Sequence, residues 1–199
     1  MFYNVNTAKE YTALPKSYTF SNGSTTGNFD LMTENHVAEG FLPLELDKPT
    51  FTAGIQYLQF DSYEVLADKV IKHYIVVNVP LAELKSAKIQ DIYDKRDSLL
   101  SNSTFTYSNT LFNLTKQAAD DASQLQSLIG LTAQFPANFS WTAADGSEFP
   151  MTQVEFTQFA NALASKKLTV IGIAKYHIAA VNALTVPLEV YNYDFSANW

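Results

Sequence analysis

The residues of this chain that could carry out chemistry are three histidines, a few paired carboxylates and a single arginine. His36, His73 and His177 lie far apart and show neither H-x-x-x-H nor H-E-x-x-H spacing, so the sequence contains no signature of a metal site. Their neighbours are mostly apolar or β-branched, which favours structural histidines satisfied within the fold. We therefore expect no metal site.

The carboxylates occur as close neighbours, in the pair Asp120-Asp121 and in the pair Asp94 and Asp97. Glycoside hydrolysis needs two carboxyl groups that face each other across a cleft, whereas neighbours on one predicted helix face point to solvent. The glycines form neither phosphate-binding loop, G-x-G-x-x-G or G-x-x-x-x-G-K-[ST], and no G-x-S-x-G nucleophile elbow occurs. The sequence thus predicts a protein that is not an enzyme and needs no cofactor.

The overall charge and composition exclude several further classes. The net charge is −7 and Arg96 is the only arginine, which argues against nucleic acid as a partner, because such binding depends on Lys and Arg at phosphates. The chain has no cysteine, so disulfides and thiolate sites are excluded. No stretch reaches the roughly 18 apolar residues of a membrane span, and the N-terminus lacks the basic start and apolar run of a signal peptide. We expect no membrane insertion.

Residues 1–80 predict a small β-rich domain. The segment IQYLQF (55–60) alternates in polarity, and VLADKVIKHYIVVNV (65–79) contains a turn followed by a β-branched run, which is typical of strands. We expect a sheet of two to four strands, with a short helix that Thr33 caps and Gly40 ends.

Residues 81–103 predict a helix that connects the two halves of the chain. One face of this helix contains Ile89, Ile92, Tyr93, Arg96, Leu99 and Leu100. On such a mostly apolar face, the guanidinium of Arg96 needs a carboxylate or carbonyl partner. We therefore expect Arg96 to be a structural anchor that pairs with an acid or with backbone carbonyls in the second half of the chain.

The stretch WTAADGSEFPMTQVEF, which begins at Trp141, predicts a hairpin followed by a helix. Asp145-Gly146 is the residue pair best suited to a tight hairpin turn, and Trp141 alternates inward before it. Thr152 stands three residues before Glu155, which is the spacing of a capping box. We expect Trp141, Thr152 and Glu155 to be structural anchors rather than groups that carry out chemistry.

Residues 104–199 predict a mainly helical domain that contains this hairpin. The segment FTYSNTLFNLT (105–115) is typical of short strands, the helix after it is expected to end near Gly130, and two further helices are expected, the second over about 167–184. The predicted fold class is therefore α+β, with a small β-rich N-terminal domain, a connector helix and a mainly helical C-terminal domain with a β-hairpin.

The C-terminal tail, VPLEVYNYDFSANW, is rich in aromatic residues and is expected to be extended. Exposed aromatic side chains are typical of interfaces, which makes Tyr191, Tyr193, Phe195 and Trp199 candidate protein-interaction residues. The alternative is that the tail packs as a last strand on its own domain, since termini fray unless they are tied down. The residue types do not decide between these two interpretations.

Several motifs in the second half carry a resemblance to a known family. They are Arg96-Asp97 near the end of a helix, FTYSNTLF, FSWTAADGSEFPMT before an Ala- and Phe-rich helix, and the late His177. Through these motifs, residues 96–184 resemble an uncharacterised domain family found in proteins of tailed bacteriophages. In the first half, LPKSYTF, NGSTTGNFDL and EGFLPLEL resemble the N-terminal segment of phage tail-fibre and tail-fibre-assembly proteins.

The resemblance implies a non-enzymatic virion protein of the tail or baseplate region, made in the cytoplasm of the bacterial host. Such a protein would attach or position a tail fibre or receptor-binding protein, with other phage tail or fibre proteins as partners. Since virion parts follow the symmetry of the tail, a homo-oligomer would fit this role. Two alternatives stay open: a tail-fibre assembly chaperone, and a carbohydrate-binding module for host surface glycans.

Overall fold

The computed structural model describes residues 1–199 and divides the chain into two compact units, Met1–Val79 and Pro80–Trp199. The first unit is rich in strands and the second is mainly helical with short hairpins. The predicted α+β fold class is therefore confirmed. None of the helices combines the length and the apolarity that a membrane span requires.

The first unit contains seven strands, a 3-10 helix and one α-helix. In chain order they are β1 (Phe2–Asn4), β2 (Lys9–Tyr11), β3 (Tyr18–Thr19), β4 (Thr25–Thr26), the 3-10 helix (Phe29–Leu31), α1 (Thr33–Ala38), β5 (Phe41–Asp47), β6 (Gln56–Val65) and β7 (Val70–Asn78). Five strands form one sheet in the order β2-β1-β5-β7-β6, and β3 pairs with β4. The prediction of two to four strands in the sheet was too low, because β1 and β2 are too short to show alternation.

Aromatic side chains fill the core of the first unit. On one face of the sheet the buried residues are Tyr3, Leu42, Leu44 and Val70, with Tyr63 packed against them. A second group contains Phe29 and Phe41, both fully buried, with the ring of Tyr18 stacked 4.3 Å from that of Phe29. The chain reaches β5 through Gly40, whose φ of 82° is a left-handed conformation that favours glycine.

The short helix α1 differs from its prediction at its start. Thr33 is the first helical residue and Met32 occupies the N-cap position, where no side-chain capping hydrogen bond forms. The expected cap at Thr33 is therefore wrong by one residue. The Asn35 N–H donates to the Met32 carbonyl at 2.9 Å, so the first turn of α1 already begins at Met32.

The second unit contains four helices and two hairpins. In chain order they are α2 (Leu81–Asn102), β8 (Ser103–Tyr107), β9 (Thr110–Leu114), α3 (Lys116–Thr132), β10 (Ser140–Thr142), β11 (Glu148–Pro150), α4 (Gln153–Ala183) and α5 (Pro187–Tyr191). Helix α2 packs on α4 and on β9. The helix predicted as a connector is thus an integral layer of the second unit.

Three helix boundaries in the second unit differ from the prediction. Helix α4 is continuous over Gln153–Ala183, because no glycine or proline interrupts the segment between the two predicted helices. Helix α3 continues through Gly130 and ends at Thr132, and the C-cap residue Ala133 adopts a left-handed φ of 54°. The tail is not extended throughout, since α5 begins at Pro187, whose fixed φ suits the first turn of a helix.

The core of the second unit lies where the two hairpins meet α4. Its buried residues are Phe105, Phe112, Leu114, Ala122, Ala143, Met151, Phe156, Phe159, Ala160, Leu163 and Val170. The hairpins are tied together by a hydrogen bond of 2.8 Å from the Ala144 N–H to the Leu111 carbonyl. This arrangement fixes the start of α4 against both hairpins.

Candidate interaction surfaces

The capping box predicted at the start of α4 is present. The Glu155 N–H donates to Thr152 Oγ1 at 3.3 Å, and the Thr152 N–H donates to Glu155 Oε2 at 2.8 Å. The hydrogen bond from the Thr152 N–H to the Glu155 carboxylate, and then the one from the Thr152 hydroxyl to the same oxygen, lower the pKa of Glu155. Thr152 and Glu155 therefore set the direction in which α4 leaves the hairpin. Both side chains form their hydrogen bonds within the capping box, so they have a structural role.

Trp141 is an anchor of the core and borders a shallow hollow. Its ring centroid lies 5.0 Å from that of Phe159 and 6.0 Å from that of Phe156. The hollow has a volume of about 360 Å³, and polar groups such as Asn113 and Asp121 also line it. Because Trp141 packs on α4, it is placed as the sequence predicted, and only part of its surface is open to solvent.

Arg96 forms contacts with its neighbours on α2 alone. Its Nε donates to Asp97 Oδ1 at 2.7 Å, and its guanidinium lies 4.6 Å from the ring centroid of Tyr93. The hydrogen bond to Asp97 raises the pKa of Arg96. The sequence predicted an acid or carbonyl partner in the second half of the chain. The observed partner Asp97 is instead the next residue on the same helix, and the pair is partly exposed. Such pairs contribute at most about 1 kcal/mol, so this one does not anchor α2 to a hairpin.

The aromatic tail folds back onto its own unit. Val190 is fully buried, Lys88 donates to the Tyr191 carbonyl at 2.9 Å, and the same ammonium lies 5.7 Å from the ring centroid of Phe195. Trp199 stacks on His177, with ring centroids 5.6 Å apart. Of the four candidate interaction residues, only Tyr191 is substantially exposed; the structure places Tyr193, Phe195 and Trp199 in contacts within the unit.

His177 holds this tail through both nitrogens of its buried ring. Nε2 lies 3.3 Å from the Ala197 carbonyl, and Nδ1 lies 2.9 Å from the Tyr193 hydroxyl. Since a carbonyl can only accept, Nε2 carries the proton and Nδ1 accepts from Tyr193 in the neutral ring. His177 is therefore a structural histidine, as the sequence predicted. Both of its ring nitrogens are hydrogen-bonded, and both partners lie in the C-terminal tail.

The outward side of α4 carries apolar residues where a helix of this kind normally carries polar ones. Its exposed apolar residues, called here the outward α4 face, are Ala164, Leu168, Gly172, Tyr176, Ala179 and Ala183, and the exposed polar residues beside them are Ser165, Thr169, Lys175 and Asn182. Leu168 and Tyr176 are each 67% exposed. The opposite side of the same helix is buried in the core, so the second half of α4 is apolar on both sides.

The charges on the second half of α4 itself have a single sign, and Asp120 of α3 lines the same hollow as Lys167 and Leu168. Between Thr157 and Ala183 the helix has no acidic residue, whereas it has the three lysines Lys166, Lys167 and Lys175. This face was not predicted from the sequence, because the segment of α4 was predicted as two separate helices. The signal was present in the sequence as a helical period that places apolar residues on both sides of one segment.

In the first unit, Lys72 lies among three aromatic rings. Its Nζ is 5.3 Å from the ring centroid of Phe60 and 5.8 Å from that of Tyr63, and it pairs with Glu10 at 2.6 Å. Burial, followed by the hydrogen bond that Tyr63 donates to Glu10, raises the pKa of Tyr63 to about 12. The cluster joins β2, β6 and β7. Its polar groups hydrogen-bond to one another, since Tyr63 and Lys72 both donate to Glu10, and the cluster therefore stabilises the sheet.

His73 lies between two carboxylates on the sheet rather than among apolar neighbours. Its Nδ1 is 2.8 Å from Asp47 Oδ2 and its Nε2 is 3.2 Å from Glu64 Oε2. The hydrogen bonds to Asp47 and then to Glu64 raise the pKa of His73 above its ordinary value of 6.5. The parallel pairing of β5 with β7, which places Asp47 beside His73, could not be read from the sequence.

We expect the Asp47→Asn substitution to lower the pKa of His73. The raised pKa means that the folded state holds this proton more tightly than the unfolded chain. The contribution of protonated His73 to the stability of the folded state is therefore complete below pH 6.5, and it is lost as the pH rises through the folded-state pKa of His73. An NMR titration of the His73 ring in both proteins checks this, with His73→Gln as the variant that identifies the resonance. Equal titration midpoints in the two proteins would contradict the role of Asp47.

Elsewhere the titratable side chains form no cluster of the kind that holds a metal ion. No group of three or more His, Cys, Asp or Glu side chains is arranged to hold a metal ion. The remaining hollows are open and shallow, and the one between α3 and α4, of about 440 Å³, is lined largely by alanine and leucine side chains.

One comparison with known proteins gives a match. A family described as Domain of unknown function (DUF4376) matches residues 83–197, which is more than half of the chain. The matched region begins in α2 and ends in the tail, so it contains both hairpins, α4 and the residues around His177. No curated protein and no solved structure matches the chain.

Proposed function

The chain belongs to the family described as Domain of unknown function (DUF4376), and we propose that it is a non-enzymatic bacteriophage protein of the tail or baseplate region. In this role it attaches or positions a tail fibre or receptor-binding protein and becomes part of the virion after synthesis in the host cytoplasm. The phage assignment rests on the resemblance of residues 96–184 and of the short motifs in the first half. The binding role rests on the surface of the second unit.

The observation that supports a binding role is the outward α4 face. Leu168 and Tyr176 are each 67% exposed on a helix whose other side is the core. Exposing such large apolar side chains in one patch is unfavourable in water, and patches of this kind mark interaction sites in soluble proteins. Interfaces are also enriched in tyrosine, which contributes contact area at a low cost in conformational entropy.

The charges beside this face define the partner surface that would fit it. Lys175 lies on the exposed side of α4 and no acidic residue lies between Thr157 and Ala183. A complementary surface is therefore apolar at its centre and carries carboxylates at its rim. We propose that this surface belongs to another tail or fibre protein of the phage.

The proposed function is tested by quantitative mass spectrometry of purified phage particles and of infected cells. We expect the chain at a fixed copy number per particle. Leu168→Glu should reduce its incorporation about tenfold or more, because it places a charge in the apolar centre of the contact. Asn161→Glu is the matched control, since it adds the same charge at an exposed polar position of the same helix.

Two other results would change the assignment. A chain that is abundant in infected cells but missing from particles would be a tail-fibre assembly chaperone, which could use the same apolar face. A chain that is incorporated normally with Leu168→Glu would bind through another surface. The carbohydrate-binding alternative is tested separately with the wild-type chain on a glycan array, where the absence of any signal above background would remove it.

A further inference from the structure

Two turns of the chain, one in each unit, have the same structure. Residues 22–24, with the sequence NGS, lie between β3 and β4, and residues 145–147, with the sequence DGS, lie between β10 and β11. The glycine of each turn has a φ of 85°, a left-handed conformation that glycine adopts without steric cost. The residue before the glycine is an asparagine in the first turn and an aspartate in the second.

The same hydrogen bonds close both turns. Ser24 donates to Asn22 Oδ1 from its N–H at 2.9 Å and from its hydroxyl at 2.7 Å. Ser147 donates to Asp145 Oδ1 from its N–H at 2.9 Å and from its hydroxyl at 2.7 Å. Each glycine N–H donates to the carbonyl three residues before it, at 2.9 Å in the first turn and 3.0 Å in the second. The second turn therefore shows how an aspartate is held where the first has an asparagine.

Asn22 is the only asparagine of the chain that is followed by glycine. The main-chain nitrogen after an asparagine can attack Cγ of its side chain, and glycine hinders this attack least because it has no Cβ. Residues 21–24 are all exposed, and a Cβ built on Gly23 would meet no atom within 4 Å. Water and solvent base can therefore reach both reacting groups.

We propose that Asn22 is a site of spontaneous deamidation and that the turn accepts the aspartate that forms. The Gly23 nitrogen loses its proton to solvent base and bonds to Asn22 Cγ, while the bond from Cγ to Nδ2 breaks and ammonia leaves with a proton taken from water. A water molecule then opens the cyclic imide, adding its hydroxyl to Cγ and its proton to the Gly23 nitrogen. The product carboxylate adds one negative charge to the net charge of −7.

Local opening of the first turn controls the rate of this reaction. In the closed turn the Gly23 N–H donates to the Phe20 carbonyl at 2.9 Å, which holds the proton that the nitrogen must lose. The strands β3 and β4 have two residues each and pair only with each other, so the turn opens at a low cost in free energy. The folded chain therefore reacts, but more slowly than the chain in denaturant.

The two possible products differ in whether the turn can close again. Aspartate at position 22 keeps the main chain and the acceptor oxygen, so Ser24 can donate to it as Ser147 donates to Asp145. Attack of water on the main-chain carbonyl of the imide gives isoaspartate, which adds a methylene group to the main chain. The hydrogen bond of 2.8 Å from the Phe20 N–H to the Ser24 carbonyl then loses its geometry. The turn thus accepts aspartate and not isoaspartate.

Asp145 is protected from the same reaction by its charge. The Ser147 hydroxyl and then the Ser147 N–H donate to Asp145 and lower its pKa, so the side chain is a carboxylate at neutral pH. A carboxylate loses an oxygen far less readily than an amide loses ammonia. Asp145→Asn is therefore expected to create a second site of deamidation. The reaction there should be slower than at Asn22, because a hydrogen bond from the Ala144 N–H to the Leu111 carbonyl resists opening of the second turn.

The inference concerns purified protein and does not depend on the proposed phage role. The full-length chain is incubated in mildly alkaline buffer, with and without denaturant, and sampled by ion-exchange chromatography and by peptide mapping with mass spectrometry. We expect a more acidic species that is modified at position 22. Asn22→Gln, whose longer side chain cannot close the same ring, should form this species at least about tenfold more slowly. Asn22→Asp should unfold at the same Tm as the wild-type chain.

Four results would overturn parts of this inference. A modification that maps to another asparagine, or a folded wild-type chain that stays unmodified, would overturn the assignment of Asn22. A lowered Tm for Asn22→Asp would overturn the acceptance of aspartate by the turn. In Asp145→Asn, a reaction at position 145 that is as fast as the one at Asn22 would overturn the role of local opening.

Discussion

Replacement of Phe159 by alanine is expected to destabilise the second unit by about 3–5 kcal/mol, the usual cost of removing a phenyl ring from a tightly packed core. Phe159 is fully buried, and its ring centroid lies 4.9 Å from that of Phe112 and 5.5 Å from that of Phe105. It also contacts Trp141. The substitution therefore opens a cavity where both hairpins meet α4.

This loss can be measured by denaturant unfolding followed through tryptophan fluorescence. Trp141 and Trp199 are the only tryptophans of the chain, and both lie in the second unit, so the signal reports on that unit. Leu168→Ala is the control, because it shortens an exposed side chain on the same helix and should change stability by only about 0.5 kcal/mol or less. Equal effects of the two substitutions would show that Phe159 is not central to the core.

Deletion of residues 186–199 is expected to lower the stability of the second unit by about 2–4 kcal/mol. The deletion removes Val190, which is fully buried, and Trp199, which covers the ring of His177. His177 is only 3% exposed in the intact chain, so truncation uncovers its ring and removes both of its hydrogen-bond partners. The cost arises from lost burial and from lost hydrogen bonds together.

Chemical unfolding followed by far-UV circular dichroism measures this effect, since the deletion itself changes the tryptophan signal. Tyr191→Ala is the control, because it removes an exposed ring of the same tail and leaves the contacts of Trp199 in place. The aromatic composition alone left open that the tail binds a partner. A deletion that leaves stability unchanged but abolishes incorporation into particles would favour that interpretation over internal packing.

The sequence by itself determined those features whose physical cause lies within a few residues. The turn at Asp145-Gly146, the capping box of Thr152 and Glu155 and the strands on either side of Ser108 and Asn109 all depend on local backbone preferences and short-range hydrogen bonds. The structure contains each of them. The α+β fold class followed from the same signals, because periodicity is also local.

The tertiary structure decided what depends on residues that are distant in the chain. It placed His73 between Asp47 and Glu64, and it folded the tail back onto His177. Periodicity shows that a side of a helix or strand is apolar, but it does not show what covers that side. The composition of the two cores was therefore set by packing and strand order, which no local signal encodes.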